Sequence, residues 1–362
     1  MISLEVLRRY AVARSLFAAT TLPEAIARLG FVQADPIRAP ARAQDLILRH
    51  RVHDYRVADL ERLYPQLAIE EDYFVNYGYL PQAHLSFLHP RTAAVRRGSP
   101  TQRRIEALLA FARARGEAHP REAAAHFAHG RVTNYWGGAS SASTQLLDRM
   151  HYQGLLRVAR RDNGIRVYAA REASPCSANA PSRQARADAL LQLVVSLYAP
   201  LPAASLSQLM NMVRHAAPQL ARELKVAATG AKRVLAHASV DGTVWYWPAD
   251  EVPGQQPADP QACVRLLAPF DPVVWDRRRF ERFWGWAYRF EAYTPPAKRR
   301  LGYYALPLLW RDQVIGWGNV SVKAGRLSPT IGYVNARAPK ERIFRRELEA
   351  ELARVADFLR LQ

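Results

Sequence analysis

Two dipeptides constrain this chain more than anything else in it. Asn163-Gly164 and Asp241-Gly242 each interrupt a run of alternating residues, and each follows a stretch that reads as three helices. Asn-Gly and Asp-Gly tolerate the positive φ angles of a type I′ turn, so the flanking runs pair as hairpins. Ahead of the first hairpin, residues 101–115 carry Ile105, Leu108, Leu109 and Phe111 at helical spacing. Pro120 opens a short helix over 121–127. After the turn Trp136-Gly137-Gly138, a helix over 140–150 turns Leu146, Leu147 and Met150 inward. The hairpin runs over 155–161 and 165–168, with Arg157, Arg160, Arg161 and Arg166 expected on its exposed side. Three helices and a basic hairpin predict a winged helix-turn-helix. The same order recurs as helices over 187–197, 205–215 and 218–226 and a hairpin over 234–248, whose Trp245-Tyr246-Trp247 reads as packing. No fixed sequence period accompanies the repeat, so it is a repeat of architecture.

The rest of the chain extends this pattern. From Ser3, Leu4, Leu7, Ala11 and Leu16 share a helical face; Pro23 restarts a helix over 24–29, and 41–51 reads as another. That order fits a helix-turn-helix variant and a generic helical bundle equally well. Residues 70–81 put an acidic cluster beside an aromatic run. Helical spacing there brings Tyr73 and Tyr77 together, as a core stripe or as a stacking surface beside DNA. Residues 172–183 and 251–260, rich in Pro with Ser or Gln, read as connectors. Beyond them, Leu306–Trp310 and 313–322 form a hairpin turning at Arg311-Asp312. A closing helix over 338–361 turns Ile343, Leu348, Leu352, Val355 and Leu359 inward. The expectation is a mainly α protein with β-hairpin wings (α+β): modules 1–98, 99–171 and 184–250 as tandem winged helices, then a β-containing portion over 261–362.

Charge narrows the partner. The chain has 51 basic and 32 acidic residues, net +19, which favours a polyanion, nucleic acid before a membrane surface. Almost all of the positive charge is Arg, the lysines being Lys225, Lys232, Lys298, Lys323 and Lys340. Cys176 and Cys263 lack paired spacing, so neither a zinc site nor a disulfide framework is expected, and a reducing cytoplasm fits. His84, His89, His119, His126 and His129 are too scattered for a metal site; His126 and His129, three apart in a helix, read as surface histidines. The N-terminal MISLEVLRRYAVARSL has no uninterrupted apolar core, and no run approaches the ~20 apolar residues of a membrane span. No cofactor, metal or membrane is expected.

The chemically suggestive stretch is Leu29-Gly30-Phe31-Val32-Gln33-Ala34-Asp35-Pro36. Pro36 pushes Asp35 out of the helical region, and in extended backbone residues two apart point the same way. Gln33 and Asp35 therefore present a carboxamide beside a carboxylate, with Arg38 and Arg42 close behind. Spacing alone suits a turn or helix cap as readily as a catalyst. The string Leu-Gly-Phe-Val-Gln-x-Asp, however, resembles the signature of the winged-helix DNA glycosylases, the AlkZ/YcaQ-like family, in its Gln-x-Asp branch. Two more strings resemble the C-terminal part of that family: Pro269-Phe270-Asp271-Pro272 through Trp275-Asp276-Arg277-Arg278-Arg279, and Tyr293-Thr294-Pro295 through Lys298-Arg299-Arg300 to Gly302-Tyr303-Tyr304. The resemblance thus spans nearly the whole chain. It departs at Asn76-Tyr77-Gly78-Tyr79, where the family carries a Tyr-Trp-x-His-Glu-Ala type block.

The resemblance implies a monofunctional glycosylase that cleaves the base–deoxyribose bond with water. Its substrate is double-stranded DNA carrying N7-alkylguanine or crosslinked bases. Asp35 would stabilise an oxocarbenium-like transition state and orient or deprotonate the water, and Gln33 would hold the same water. No Lys lies in the motif, so a Schiff-base lyase step lacks a nucleophile. Candidate DNA contacts are Arg38, Arg42, Asn76, Tyr77, Ser140, Ser143, Arg160, Arg161, Arg277, Arg278, Arg279, Lys298, Arg299 and Arg300. The expected setting is a bacterial cytoplasm, at the nucleoid, with the chain acting as a monomer. The competing expectation is a non-catalytic winged-helix regulator; a glycosylase-like protein that merely holds damaged DNA is a third.

Overall fold

The computed structural model describes residues 2–91, 98–133, 137–172, 181–255 and 260–361. Cys176, Trp136 and parts of both connectors lie outside the described residues. The first segment comprises α1 (Leu4–Ser15), α2 (Leu22–Leu29), β1 (Val32–Gln33), α3 (Ala43–Leu48), α4 (Asp59–Leu63), β2 (Ile69–Tyr73), β3 (Tyr77–Pro81) and α5 (Gln82–Leu88). Its three strands form an antiparallel sheet ordered β1-β3-β2. Thr21 and Glu24 close α2 with a capping box, and Gly30 ends it at φ +72°. The chain then turns into β1 against β3, with Gln33 opposite Gly78. A Cβ on Gly78 would lie 2.3 Å from the Val32 carbonyl oxygen and 2.5 Å from the Phe31 ring. Gly78 is therefore what lets β1 seat.

Two expectations fail in this segment. Tyr73 and Tyr77 pair across the β2–β3 hairpin, rings 5.0 Å apart, instead of stacking along a helix. Their proximity is real, but its cause is strand pairing. The predicted 41–51 helix stops at Leu48. Arg49 and Arg51 are drawn away from it, to Glu351 and Asp271 at the far end of the chain.

The second segment holds α6 (Pro100–Arg115), α7 (Pro120–Phe127), β4 (Arg131–Thr133), β5 (Ala139–Ser141), α8 (Ala142–Gln153) and the hairpin β6 (Leu156–Asp162)–β7 (Ile165–Ala170). Here α7 ends at Phe127, so His129 lies outside the helix assigned to it and His126. The third segment contains α9 (Arg183–Tyr198), β8 (Leu201–Pro202), α10 (Ala203–Ala216), α11 (Ala221–Thr229), α12 (Ala231–Val234), β9 (Ala236–Val240) and β10 (Thr243–Trp247), with β10 in the middle of its sheet. The last comprises β11 (Val264–Leu266), α13 (Pro272–Trp275), α14 (Arg277–Trp284), β12 (Leu306–Trp310), β13 (Gln313–Lys323), β14 (Arg326–Tyr333) and α15 (Arg342–Phe358). Its four-stranded antiparallel sheet, in sequential order, makes the architecture a mixed α/β one. No helix among the described residues is long and apolar enough to cross a membrane.

Most of the core is one cluster running from Leu7 on α1 to Phe358 on α15. Buried guanidinium groups cross-tie it. Arg51 and Asp271 form a fully buried pair at 2.8 and 3.0 Å, and Arg51 also donates to the Ser15 and Ile47 carbonyls. Arg91 binds Asp72 and the carbonyls of Tyr73, Tyr152 and Ala216. Glu351 accepts from Arg49 and from the Leu266 amide. Each such charge is tolerated because almost every lone pair and N–H around it is matched. Two of these ties, through Arg49 and Arg51, fasten the end of α3 to the C-terminal segment.

Candidate active site

Between the first two segments and the last, at Phe270 and the loop that follows α14, lies an open cleft of about 950 Å³. Gln33 and Asp35 both line it, as do Asn76 and Tyr77 at the β2–β3 turn. The neighbouring strand explains their placement. The Ala34 amide donates to the Tyr77 carbonyl at 3.0 Å, prolonging β1, and Gln33 and Asp35 emerge on the same side of it. Pro36 ends the pairing, and the Asp35 carboxylate accepts the Ile37 amide at 2.9 Å, an Asx turn. The Asp35 amide in turn donates to Gln44 Oε1 at 3.2 Å.

Gln33 is oriented from across the molecule. Its Oε1 accepts the Trp275 indole N–H at 3.0 Å. With the carbonyl end engaged, the amide has its NH2 donors to offer. Nothing in the sequence assigned Trp275 a role, although it lies inside one of the C-terminal strings; only the fold brings positions 33 and 275 together.

Asp35 is largely buried, and burial raises its pKa above the ordinary carboxylate value, with the Ile37 hydrogen bond pulling the other way. Two tyrosines feel its charge. Burial and then the Asp35 carboxylate push the Tyr293 and Tyr304 hydroxyls up. The Tyr304 hydroxyl is buried with no hydrogen-bond partner among the described residues.

Across the cleft stand Arg121 of α7, Ser141, Thr144 and Asp148 around α8, and Arg161, Ile165 and Arg166 of the β6–β7 hairpin. The cleft arginines are mostly fixed by carboxylates: Arg42 by Glu61 at 2.6 Å, Arg161 by Glu71 at 2.6 Å and Arg166 by Asp148 at 3.2 Å. The acidic cluster Glu70-Glu71-Asp72 is thus buried structure, pairing with Arg171, Arg161 and Arg91. On Asp72, charge-assisted bonds from His89 and Arg91 outweigh burial and hold its pKa below the ordinary value. Among the described residues no group of three or more His, Cys, Asp or Glu could hold a metal ion.

The other basic positions divide. Arg38, Arg160, Arg278, Lys298 and Arg300 are exposed. Arg160 points away from the cleft toward Glu117, because the bulge between Val158 and Arg160 breaks the alternation assumed for the wing. Arg166, expected on the exposed side, lies half-buried over the Tyr77 ring. Arg299 donates to the Thr294 carbonyl and covers Tyr303. Three expected DNA contacts are corrected. Arg279 is buried and donates to the carbonyls of Tyr198 and Pro272. Arg277 spends its guanidinium on the Val274 and Pro269 carbonyls. Ser143 is fully buried and bonded to His129, while Ser140 stays half-exposed in β5.

The family described as DNA glycosylase AlkZ-like matches residues 26–358. The structure is also similar to that of Streptomyces sahachiroi DNA glycosylase AlkZ, at 14% sequence identity with a TM-score of 0.62. That match covers 99% of this chain and 96% of the other.

Proposed function

This chain belongs to the AlkZ-like DNA glycosylase family and is a DNA glycosylase of DNA repair, a hydrolase of N-glycosyl bonds; from that premise we propose that Asp35 and Gln33 hydrolyse the glycosidic bond of N7-alkylguanine, crosslinked bases included. The supporting observation is the pairing itself: a largely buried carboxylate and an oriented carboxamide on one rim of an open cleft. Alkylation at N7 makes the base cationic, so the C1′–N9 bond breaks with its electron pair leaving on the base and little acid help. Positive charge then builds on the sugar. The Asp35 anion stabilises it and takes the proton as water oxygen bonds to C1′, while the Gln33 NH2 holds that water through a lone pair. An open cleft also suits a bulky or tethered lesion.

We read the segments 1–98, 99–171 and 184–250 as winged-helix modules, with the 261–362 portion closing the site. Duplex phosphates meet the cations that no carboxylate holds among the described residues, Arg121 in the cleft and the exposed Arg38, Arg278, Lys298 and Arg300, and not the paired ones. With membership in an enzyme family, a purely regulatory role loses its basis. The test is release of N7-methylguanine from a defined duplex. Wild type releases the base, and Asp35→Asn slows release by about 10² to 10⁴-fold. Undiminished release by Asp35→Asn would remove the carboxylate from the mechanism.

A further inference from the structure

Tyr293 is the most exposed large hydrophobic side chain among the described residues, at 75%. It is not exposed for want of a packing site. Phe290, three residues earlier, lies 6.0 Å from its ring and continues the contact inward, to Phe270 at 5.1 Å and Tyr304 at 5.2 Å. All three rings nearest the opening, those of Phe270, Phe290 and Tyr293, line the cleft that holds Asp35.

The loop is also held still. The buried Glu291 carboxylate accepts the amides of Arg300, Leu301 and Gly302 at 2.9, 2.7 and 3.3 Å. The Thr294 amide returns to the Glu291 carbonyl, and Arg299 donates to the Thr294 carbonyl. The turn therefore presents one aromatic ring to solvent at the mouth of the site, backed by a fixed aromatic wall. A lone exposed aromatic is unremarkable on most surfaces; one backed by Phe290 and lining the same cleft as the catalytic carboxylate has a use.

We propose that Tyr293 is the platform on which the damaged base stacks, and that its ring, backed by Phe290, favours bases carrying positive charge. The inference rests on the N7-alkylguanine reading above and names how that lesion is told from guanine. An aromatic face carries negative quadrupolar potential and attracts a planar cation, whereas neutral guanine gains stacking alone. The same ring then loses its hold once the glycosidic bond breaks, because the departing base has become neutral.

The experiment compares two duplexes that the enzyme cannot hydrolyse. One carries 2′-fluoro-N7-methylguanine, a cation; the other carries 7-methyl-7-deazaguanine, its neutral isostere. Anisotropy titrations of the full chain at one fixed salt concentration are expected to show tighter binding of the cationic duplex, by roughly 3- to 30-fold. Tyr293→Leu abolishes that ratio and Tyr293→Phe keeps it. Equal affinities in wild type overturn the proposal, as does a ratio that survives Tyr293→Leu while both affinities drop, which is the behaviour of a plug in the duplex. Because neither probe reacts, the result is separate from base release. Release with no charge preference sinks the platform and leaves the glycosylase reading intact; charge preference without release does the reverse.

Discussion

The β6–β7 and β9–β10 hairpins turn on the same chemistry and meet opposite fates. Asn163-Gly164 and Asp241-Gly242 both adopt positive φ at both positions. Yet the first hairpin faces the cleft with Arg161 and Arg166, while the second buries Trp245, Tyr246 and Trp247 of β10, with Trp245 stacked 5.3 Å from Phe283 and the strand also paired to β8. The difference lies in the neighbours. β10 sits in the middle of a three-stranded sheet, whereas β7, among the described residues, is paired along its length by β6 alone and joined elsewhere by a single bridge from Tyr168 to Ala118, and β6 carries a bulge. A hairpin keeps an edge open to a partner when no full third strand claims it. Repeated architecture therefore does not repeat function; the residues filling the hairpin and the strand count around it decide.

Substitutions in the two hairpins sharpen the contrast. Trp245→Ala should show the larger effect, a loss of about 3–5 kcal/mol in denaturant unfolding, because it empties a fully buried site. Base release per folded molecule should be unchanged. If release fell in step with a retained fold, the second hairpin would have to serve the site after all. Arg166→Ala in the cleft hairpin should do the opposite. Its ion pair with Asp148 is partly exposed, so stability should shift by less than ~1 kcal/mol. Because Arg166 is already paired, the slope of log K against log salt should stay unchanged in titrations at several salt concentrations. A slope smaller by about 0.9 would put Arg166 on a phosphate and overturn the restriction to unpaired cations.

Much of this was legible beforehand, for identifiable reasons. Helices with a clear apolar stripe and turns with a demanding φ announce themselves locally, which is why α6 to α11 and both hairpins fall close to their expected positions. Gln33 and Asp35 were legible as a pair because extended backbone before Pro36 leaves them little choice. What local reading missed depends on distant partners. The orientation of Gln33 comes from Trp275, and the burial of Arg51 and Arg279 comes from Asp271 and from carbonyls elsewhere in the fold. An arginine string looks the same whether it meets phosphate or its own backbone. Similarly, β14 and the bulge in β6 arise from sheet pairing that no short window contains.

The smallest expected effect concerns Asp35, a side chain kept for the cleft at some cost to the core. Burial raises its folded pKa above the unfolded value, so the stability it contributes is present when it is protonated and is lost as pH rises through the folded pKa. Asp35→Asn removes the charge and keeps an oxygen for the Ile37 amide. It should therefore be slightly more stable than wild type at neutral pH, with the advantage fading on acidification toward the ordinary carboxylate range. Asp45, raised to about 6 by burial, titrates nearby but is common to both proteins and cancels in the difference. The wild-type release rate should fall on acidification with a midpoint above the ordinary carboxylate value, since protonated Asp35 can neither stabilise the sugar cation nor accept a proton. Unfolding curves for the two proteins across pH, set beside the rate profile, decide the matter. A mutant less stable than wild type at neutral pH would mean that the carboxylate serves the turn around Pro36 and not the cleft, and would place it with the buried side chains of the second hairpin.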